Sequence, residues 1–277
     1  MRKNDNIYKL DQFFTKEDVA LKCINIVDGY YSLNKFSKIV EPSAGNGSFY
    51  YYLPKNKRIG IELDKCLCNK NDEYLNMSFF DYDIYNDNIL VIGNPPFGTQ
   101  NNLSVNFFNH AAKFADVIAF IIPKTWNKQS IENKLDLFFH RIVSIDLPKE
   151  PFYGNKKTNV KCCFQIWEKS SKIRKCNISE KNHPDWDFLP YIKTENDLLP
   201  PKNADFVILA YGANSGRISE DLYRWRPKSV HFIKSKIDKD KLINRFKSLD
   251  YNVANNSARQ SSLGKSLLIE LYKERFK

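Results

Sequence analysis

The residues best placed to do chemistry are Asn94-Pro95-Pro96-Phe97, which follow the apolar run Ile89-Leu90-Val91-Ile92 and Gly93. Such a run predicts a strand buried on both faces, with Gly93 allowing a tight turn at its end. Pro95 and Pro96 fix two successive φ angles, so the carbonyls beside Asn94 point in set directions. An amide, a stiffened carbonyl and an aromatic ring thus converge at the C-terminal end of a strand, where open α/β sheets bind ligands. The cluster suits a planar amino group whose lone pair is delocalised into a ring, as in the exocyclic nitrogen of adenine. The Asn94 side-chain oxygen and the Pro95 carbonyl would each accept one N–H, draw the nitrogen toward tetrahedral geometry and localise its lone pair. Phe97 would lie against the flat base. A bare Asn-Pro-Pro reads more simply as a loop closing a strand, so the surrounding elements decide.

Those elements are ordered like a nucleotide-binding sheet. Lys38-Ile39-Val40 predicts a strand running into Glu41-Pro42-Ser43-Ala44-Gly45-Asn46-Gly47, a glycine-rich loop that lets a ligand approach the backbone before a following helix. A dinucleotide fingerprint needs a third glycine where Tyr50 stands, which argues against a nicotinamide enzyme. The next strand, 58–64, places Glu62 21 residues after Glu41, where an acid binds ribose hydroxyls in such sheets. Upstream, Thr15 is a plausible helix N-cap, with acids in the first turn and Val19, Cys23, Ile26 and Val27 at helical spacing.

Taken in order, Glu41-Pro42-Ser43-Ala44-Gly45-Asn46-Gly47, Gly60-Ile61-Glu62-Leu63-Asp64 and Asn94-Pro95-Pro96-Phe97 resemble the donor-binding and catalytic motifs of adenine-N6 methyltransferases. Phe13-Phe14-Thr15 resembles the motif that closes over the methionine end of S-adenosylmethionine, and its position first in the chain resembles the gamma group of DNA amino-methyltransferases. A segment from Phe152-Tyr153-Gly154-Asn155-Lys156-Lys157 to Phe164-Gln165 resembles the group's last catalytic motif. The resemblance covers roughly residues 11–168; the motifs are specific in combination and weak singly.

The resemblance implies a doubly wound Rossmann-like α/β sheet, S-adenosylmethionine as methyl donor and a flipped adenine in DNA as substrate. It implies that Asn94 and the Pro95 carbonyl bind the target amine, that Pro96 stiffens the turn and that Phe97 stacks on the base. Phe152, with Tyr153 as the alternate, would form a second wall, and Glu62 would take the ribose hydroxyls. Thr15, Glu41, Gly45 and Gly47 would frame the methionine portion, and Phe79 would pack on the donor's adenine. One position departs from the pattern. The family's acid-Phe pair falls here at Ser78-Phe79, and the nearest acid is Asp81, 13 residues before Asn94, which becomes the candidate for the donor's amino edge. Other readings are RNA adenine methylation, protein glutamine methylation, or a silent nucleic-acid-binding subunit on the same fold. A silent subunit is expected to lose the Asn-Pro-Pro turn or the donor glycines, and this chain keeps both.

The remaining pattern fits that sheet: helices over 105–115 and 131–139, and strands over 117–122, 142–147 and 160–167. From Ser170 to Pro201 the sequence reads as linker and loop, followed by a short strand at 206–210 and a flexible turn at 211–217. An exposed helix is predicted over 234–247, and a last helix with Leu267, Leu268, Leu271 and Tyr272 on its apolar face. These features divide the chain into a catalytic domain, 1–168, and a C-terminal region, 169–277.

At 277 residues the chain can bury one large core, or one core and a small second domain. Aromatics at 14 % and hydrophobics at 42 % exclude a disordered chain, and no apolar run approaches a membrane span. With no charged-then-apolar leader at its start, it is expected to be soluble and intracellular, in the cytoplasm or a nucleus. The six cysteines and four histidines follow no metal-ligand spacing, so reduced thiols and no metal are expected. Of the net charge of +11, residues 169–277 carry +9, from 22 basic and 13 acidic side chains. A polyanionic partner follows, DNA or RNA, and the small size of the region leaves room for an accessory subunit. Candidate contacts are Lys156 and Lys157 in a turn, and Arg224, Arg226 and Lys228 in Tyr223-Arg224-Trp225-Arg226-Pro227-Lys228, where aromatics alternate with cations. A basic edge strand with its aromatics in the core is an equal alternative for that hexad.

Overall fold

The computed structural model describes residues 13–68, 73–85, 87–153, 160–176, 180–255 and 261–276. The chain forms two compact units, 1–177 and 178–277. The first unit is built on seven strands: β1 (Lys38–Glu41), β2 (Arg58–Glu62), β3 (Tyr74–Asn76), β4 (Ile89–Gly93), β5 (Val117–Pro123), β6 (Phe139–Asp146) and β7 (Cys162–Lys169). They lie in the order β3-β2-β1-β4-β5-β7-β6. The pairings among β1 to β5 are parallel, and β7 runs antiparallel to both β5 and β6. The order reverses between β1 and β4, which makes the crevice beyond their C-terminal ends the place for a ligand.

The central strands are apolar throughout because both faces are covered. Ile39, Leu90, Ile92, Ala119 and Ile121 pack with Val19, Cys23, Ile24 and Val27 of helix α1 (Glu17–Tyr31). Val40, Val91, Ile118, Phe120 and Ile122 turn to the other side, against Val105, Phe107, Phe108 and Ala111 of α2 (Asn102–Ala111). This is the period-two alternation of a strand read into two cores at once.

Several elements differ from the expectations. The residue capping α1 is Lys16, whose side chain makes no capping bond; Thr15 instead pairs with Phe152 in a short antiparallel bridge that also joins Phe14 to Tyr153. No helix follows the glycine-rich loop, only a 3-10 turn over Tyr50–Tyr52, because Pro54 forces Leu53 into extended backbone. The helix expected over 131–139 is a single turn, Gln129–Glu132. Leu135 and Phe139 are buried in the core, and Phe139 already belongs to β6, its ring 5.6 Å from Phe108.

The expected boundary at 168/169 falls later in the structure, at 177/178. Arg174 ties the intervening segment back onto the first unit by donating to the carbonyls of Glu132, Leu135, Asp136 and Phe139. Counted at this boundary, 1–177 carries 25 basic and 19 acidic residues and 178–277 carries 18 and 13. The basic excess is therefore +6 and +5, denser in the smaller unit but not confined to it.

The second unit is an antiparallel sheet of β8 (Trp186–Leu189), β9 (Phe206–Leu209), β10 (Ile218–Ser219) and β11 (Val230–Ser235), in the order β8-β11-β9-β10. Helices α3 (Lys239–Lys247) and α4 (Lys265–Arg275) supply Leu242, Phe246, Leu268 and Tyr272 to a core with Trp186, Phe206, Ile208 and Ile233. Residues 170–201, expected as linker, thus contain a core strand whose Trp186 is fully buried and stacked on His183 at 3.9 Å. The single helix expected over 234–247 is the end of β11 followed by α3, which Asp238 caps by accepting from the Lys241 amide. In α4, Leu268, Ile269 and Tyr272 are buried, while Leu267 and Leu271 are only partly so. All six cysteines are free thiols, and among the described residues no His, Cys, Asp and Glu cluster could hold a metal. Among the same residues, no helix is long and apolar enough to cross a membrane.

Arg174 also lies 3.6 Å from Glu132, with its side chain 8 % exposed. Removing one member of a buried pair typically costs about 3–5 kcal/mol. Arg174→Ala is therefore expected to lower the first unit's melting transition sharply, as read by calorimetry, while Lys172→Ala, at an exposed position, leaves it unchanged.

Candidate active site

The C-terminal ends of β1, β2 and β4 and the segment Phe13–Phe14 enclose a cavity of 230 Å³. Its walls include Ser43, Gly45, Glu62, Phe79 and Asn94 through Phe97. Asn94 is held from three sides. Its Nδ2 donates to the Phe13 carbonyl at 2.8 Å, its own carbonyl accepts from Ser43 Oγ at 3.2 Å, and Pro95 follows it. The amide is thereby turned so that Oδ1 remains buried with no partner. A buried acceptor without a donor is costly, and such atoms mark places where a ligand's N–H is awaited.

Three rings lie beside this turn. Phe13 is 6.4 Å from Phe97 and 5.7 Å from Phe152, and Phe97 meets Phe152 edge-on at 6.3 Å. Phe97 and Phe152 are buried, whereas Tyr153 is 51 % exposed, so Phe152 is the member of its dipeptide that faces the group. Phe13, to which the sequence assigned no individual role, supplies both the carbonyl that orients Asn94 and the third ring.

The donor motifs divide into residues at the cavity and residues behind it. Glu62 lines the cavity, and its carboxylate accepts from the amides of Gly45 and Asp64, each at 2.8 Å. Glu62 therefore also braces the glycine-rich loop. Gly45 (φ +55°) presents bare backbone beside Phe14, whose ring lies 3.2 Å from where a Cβ would sit. Gly47 (φ +83°) serves differently: it holds left-handed backbone that favours glycine, with the Tyr51 and Tyr74 rings close beside it. Phe79 lines the cavity, as do Ser78 and the half-exposed Phe80. Asp81, the sequence candidate for the donor's amino edge, is exposed and does not line it; Ser78, which accepts from the Phe80 amide, occupies that wall instead.

Glu41, Thr15 and Gly47 also stand behind the wall rather than in it. Glu41 Oε2 and Thr15 Oγ1 are buried polar atoms with no partner. Burial holds the Glu41 carboxyl well above the usual carboxylate range; the Tyr50 and Phe49 amides oppose this, while nearby Glu62 adds to it. At the cavity itself, the bare Gly45 backbone, the Ser43 hydroxyl and the Glu62 acid fit a donor with charged and hydroxylated ends. Leu67, Met77 and Phe107 complete the apolar wall and carried no signal in sequence, because their nearness depends on tertiary packing.

Lys156 and Lys157 lie outside the described residues. In the second unit Arg224, Arg226 and Lys228 are exposed, Tyr223 is 73 % exposed, and Trp225 packs partly buried beneath, with Arg224 5.3 Å over its ring. The cations of the hexad thus face solvent and one aromatic anchors them.

No family model matches the chain, and no curated protein matches it. Similar folds occur among solved structures. A Pyrococcus horikoshii protein assigned by inference as an RNA methyltransferase is 17 % identical, with TM-score 0.44 over 58 % of this chain and 88 % of its own. The 23S rRNA methyltransferase ErmE is 12 % identical, with TM-score 0.42 over 60 % and 73 %. A dimethyladenosine transferase from Plasmodium falciparum is 13 % identical, with TM-score 0.40 over 57 % and 64 %. At this distance the strand order itself, rather than any one likeness, defines the architecture.

The Glu41 shift has a consequence for stability. A carboxyl whose pKa is raised on folding contributes most below its unfolded value and loses that contribution as pH rises toward the folded one. Glu41→Gln keeps the shape of the protonated acid and cannot ionise. The variant is expected to match wild type near pH 4.5, the ordinary carboxylate value, and to melt progressively higher than wild type as pH rises above it. A constant difference from there to neutral pH, followed by circular dichroism, would contradict the assignment.

Proposed function

We propose that this chain is an S-adenosylmethionine-dependent methyltransferase that modifies the exocyclic N6 of adenine in DNA, with the target base flipped from its duplex. One observation carries the reading: Asn94 is clamped through its nitrogen, and its oxygen is left buried without a donor beside the rigid Pro95 carbonyl. Those two acceptors match the two N–H groups of an adenine amine. When bound, S-adenosylmethionine supplies an electrophilic methyl group on a sulfonium centre.

The chain's own residues do the rest. Glu62 would hold the donor's ribose hydroxyls, Gly45 and Ser43 its backbone-facing side, and Phe79 and Ser78 its adenine. Thr15 and Glu41 would set the polar ground behind the loop. Asn94 and the Pro95 carbonyl hold the acceptor nitrogen and localise its lone pair, so positioning rather than a strong base drives transfer. Phe97 and Phe152 flank the base, and stacking of this kind contributes roughly 1–3 kcal/mol per base. Phe13 must yield ring space as the base enters, while its carbonyl keeps the Asn94 amide oriented. The exposed cations of the second unit would meet the phosphates, which position a nucleic acid without reading its sequence.

Asn94→Ala is expected to abolish methyl transfer while leaving donor affinity nearly intact. Glu62→Gln, which keeps one acceptor for the loop, is expected to weaken donor binding because it removes a charge-assisted bond to ribose. Calorimetric titration of both variants checks this, and equal loss of donor affinity in the two would overturn the placement of Asn94.

The exposed hexad generates a second expectation. Neutralising Arg224, Arg226 and Lys228 together should weaken binding to all duplex sequences alike and flatten the salt dependence by about 0.9 for every phosphate left unneutralised. Anisotropy across a salt series reads the slope, and an unchanged slope would remove the hexad from the interface.

A further inference from the structure

The second unit contains a cleft of 570 Å³ that shares only Pro227 and Lys228 with the hexad already described. It opens at one end of the small sheet, where the C-terminal end of β9, the start of β11 and the end of β8 meet. The backbone fixes its shape. Ala210 donates to the Ser229 carbonyl and accepts from the Leu263 amide, and Tyr211 bridges to Ser262. Its floor is apolar, formed by Leu189, Val230 and Phe232.

The rim is cationic and aromatic. Lys193, Lys228 and Lys265 all line the cleft and are exposed, and among the described residues no Asp or Glu lines it. Among the same residues none of these three lysines has a carboxylate within ion-pair distance, although ten other basic residues do. Lys265 lies 5.0 Å over the Phe188 ring and opens α4, whose first turn has no side-chain cap. The positive end of that helix therefore adds to the field of the rim. Tyr211 is 48 % exposed and Tyr191 half-buried, so two phenol rings border the floor. His231 completes the wall. Its Nε2 lies 2.7 Å from the Leu263 carbonyl, which can only accept, so the neutral ring carries its proton there and Nδ1 is left as an acceptor.

An apolar floor edged by tyrosines takes a flat, uncharged ring; three unpaired lysines take an anion beside it. A nucleotide joins those two features in one ligand. A base paired in a duplex cannot present its face to such a floor, whereas an unpaired one can. We propose that this cleft binds an unpaired nucleotide of a nucleic-acid strand, its phosphate on Lys193, Lys228 and Lys265 and its base on the floor beside Tyr211. The proposal rests on reading the chain as one that acts on nucleic acid. It adds a second point of attachment, continuous with the exposed hexad through Pro227 and Lys228, that holds a strand locally opened.

The test measures binding, without methyl transfer, by fluorescence anisotropy on the full chain. The probes are a labelled 16-nucleotide DNA strand, the same strand in duplex, and the matching RNA strand. Wild type is expected to bind single strands more tightly than duplex at equal salt. Lys193→Ala with Lys265→Ala should flatten the single-strand salt dependence by about 0.7 for each phosphate that the lysines no longer neutralise. Tyr211→Ala should weaken single-strand binding about tenfold, and Tyr211→Phe should restore it. The lysine-to-arginine pair should keep the wild-type slope. The DNA and RNA arms decide which sugar the cleft accepts. Wild-type binding with unchanged slope and affinity in the alanine variants would overturn the cleft alone. Absence of all nucleic-acid binding in wild type would overturn the proposed substrate as well.

Discussion

The hydrogen bond from Asn94 Nδ2 to the Phe13 carbonyl, 81 residues away in sequence, is the constraint on which the candidate site depends. It decides which end of an otherwise symmetric amide is spent on the protein and which is left for a ligand. It also fastens residues 13–15 over the ends of β1 and β4. That segment is held a second time by its pairing with Phe152 and Tyr153. Loosening either tie would free the amide to rotate and present a donor where an acceptor is needed. The rigid Pro95-Pro96 turn would then aim the wrong group, so the two features function only together.

The rest of the first unit serves to make this junction rigid. The strand reversal between β1 and β4 brings Glu41 and Gly93 side by side, and a Cβ on Gly93 would lie 3.3 Å from Glu41 Cγ. Glu62 at the end of β2 holds the glycine-rich loop through the Gly45 amide and its own strand end through the Asp64 amide. A site assembled from strand ends over two packed cores loses little geometry to thermal motion, which is what a reaction limited by positioning requires. The cost is borne by buried, unpaired polar atoms: Asn94 Oδ1, Glu41 Oε2 and Thr15 Oγ1.

Much of this was legible in sequence where one local signal sufficed. Apolar runs marked β1, β4 and β5, and the order of the loop, the acid and the Asn-Pro-Pro turn placed the site at the C-terminal ends of the strands, while the reversal of strand order there appears only in the fold. Signals that depended on long-range packing were not legible. Thr15 reads as a cap because its neighbours look helical, yet strand pairing with Phe152 takes it away. Asp81 stands nearer the family's acidic position than any other acid, yet the 3-10 turn Phe79–Asp81 points Ser78 and Phe80 at the cavity. Arg174 looks like part of a basic tail but is a clamp on the first unit, and with it the contrast in charge between the two halves largely disappears. What distinguishes the second unit is instead a group of cations that, among the described residues, have no carboxylate partner and lie beside exposed aromatics.

The proposed chemistry turns on whether the Asn94 and Pro95 acceptors localise the lone pair of an adenine amine. The most direct measurement supplies S-adenosylmethionine labelled in its methyl group together with matched DNA and RNA strands, single and duplex, and identifies the labelled nucleoside by chromatography. Label is expected on N6-methyladenine from DNA, and is expected to vanish when adenine is replaced by purine lacking the amine. Label on cytosine, on protein, or on a ring nitrogen of adenine would contradict it.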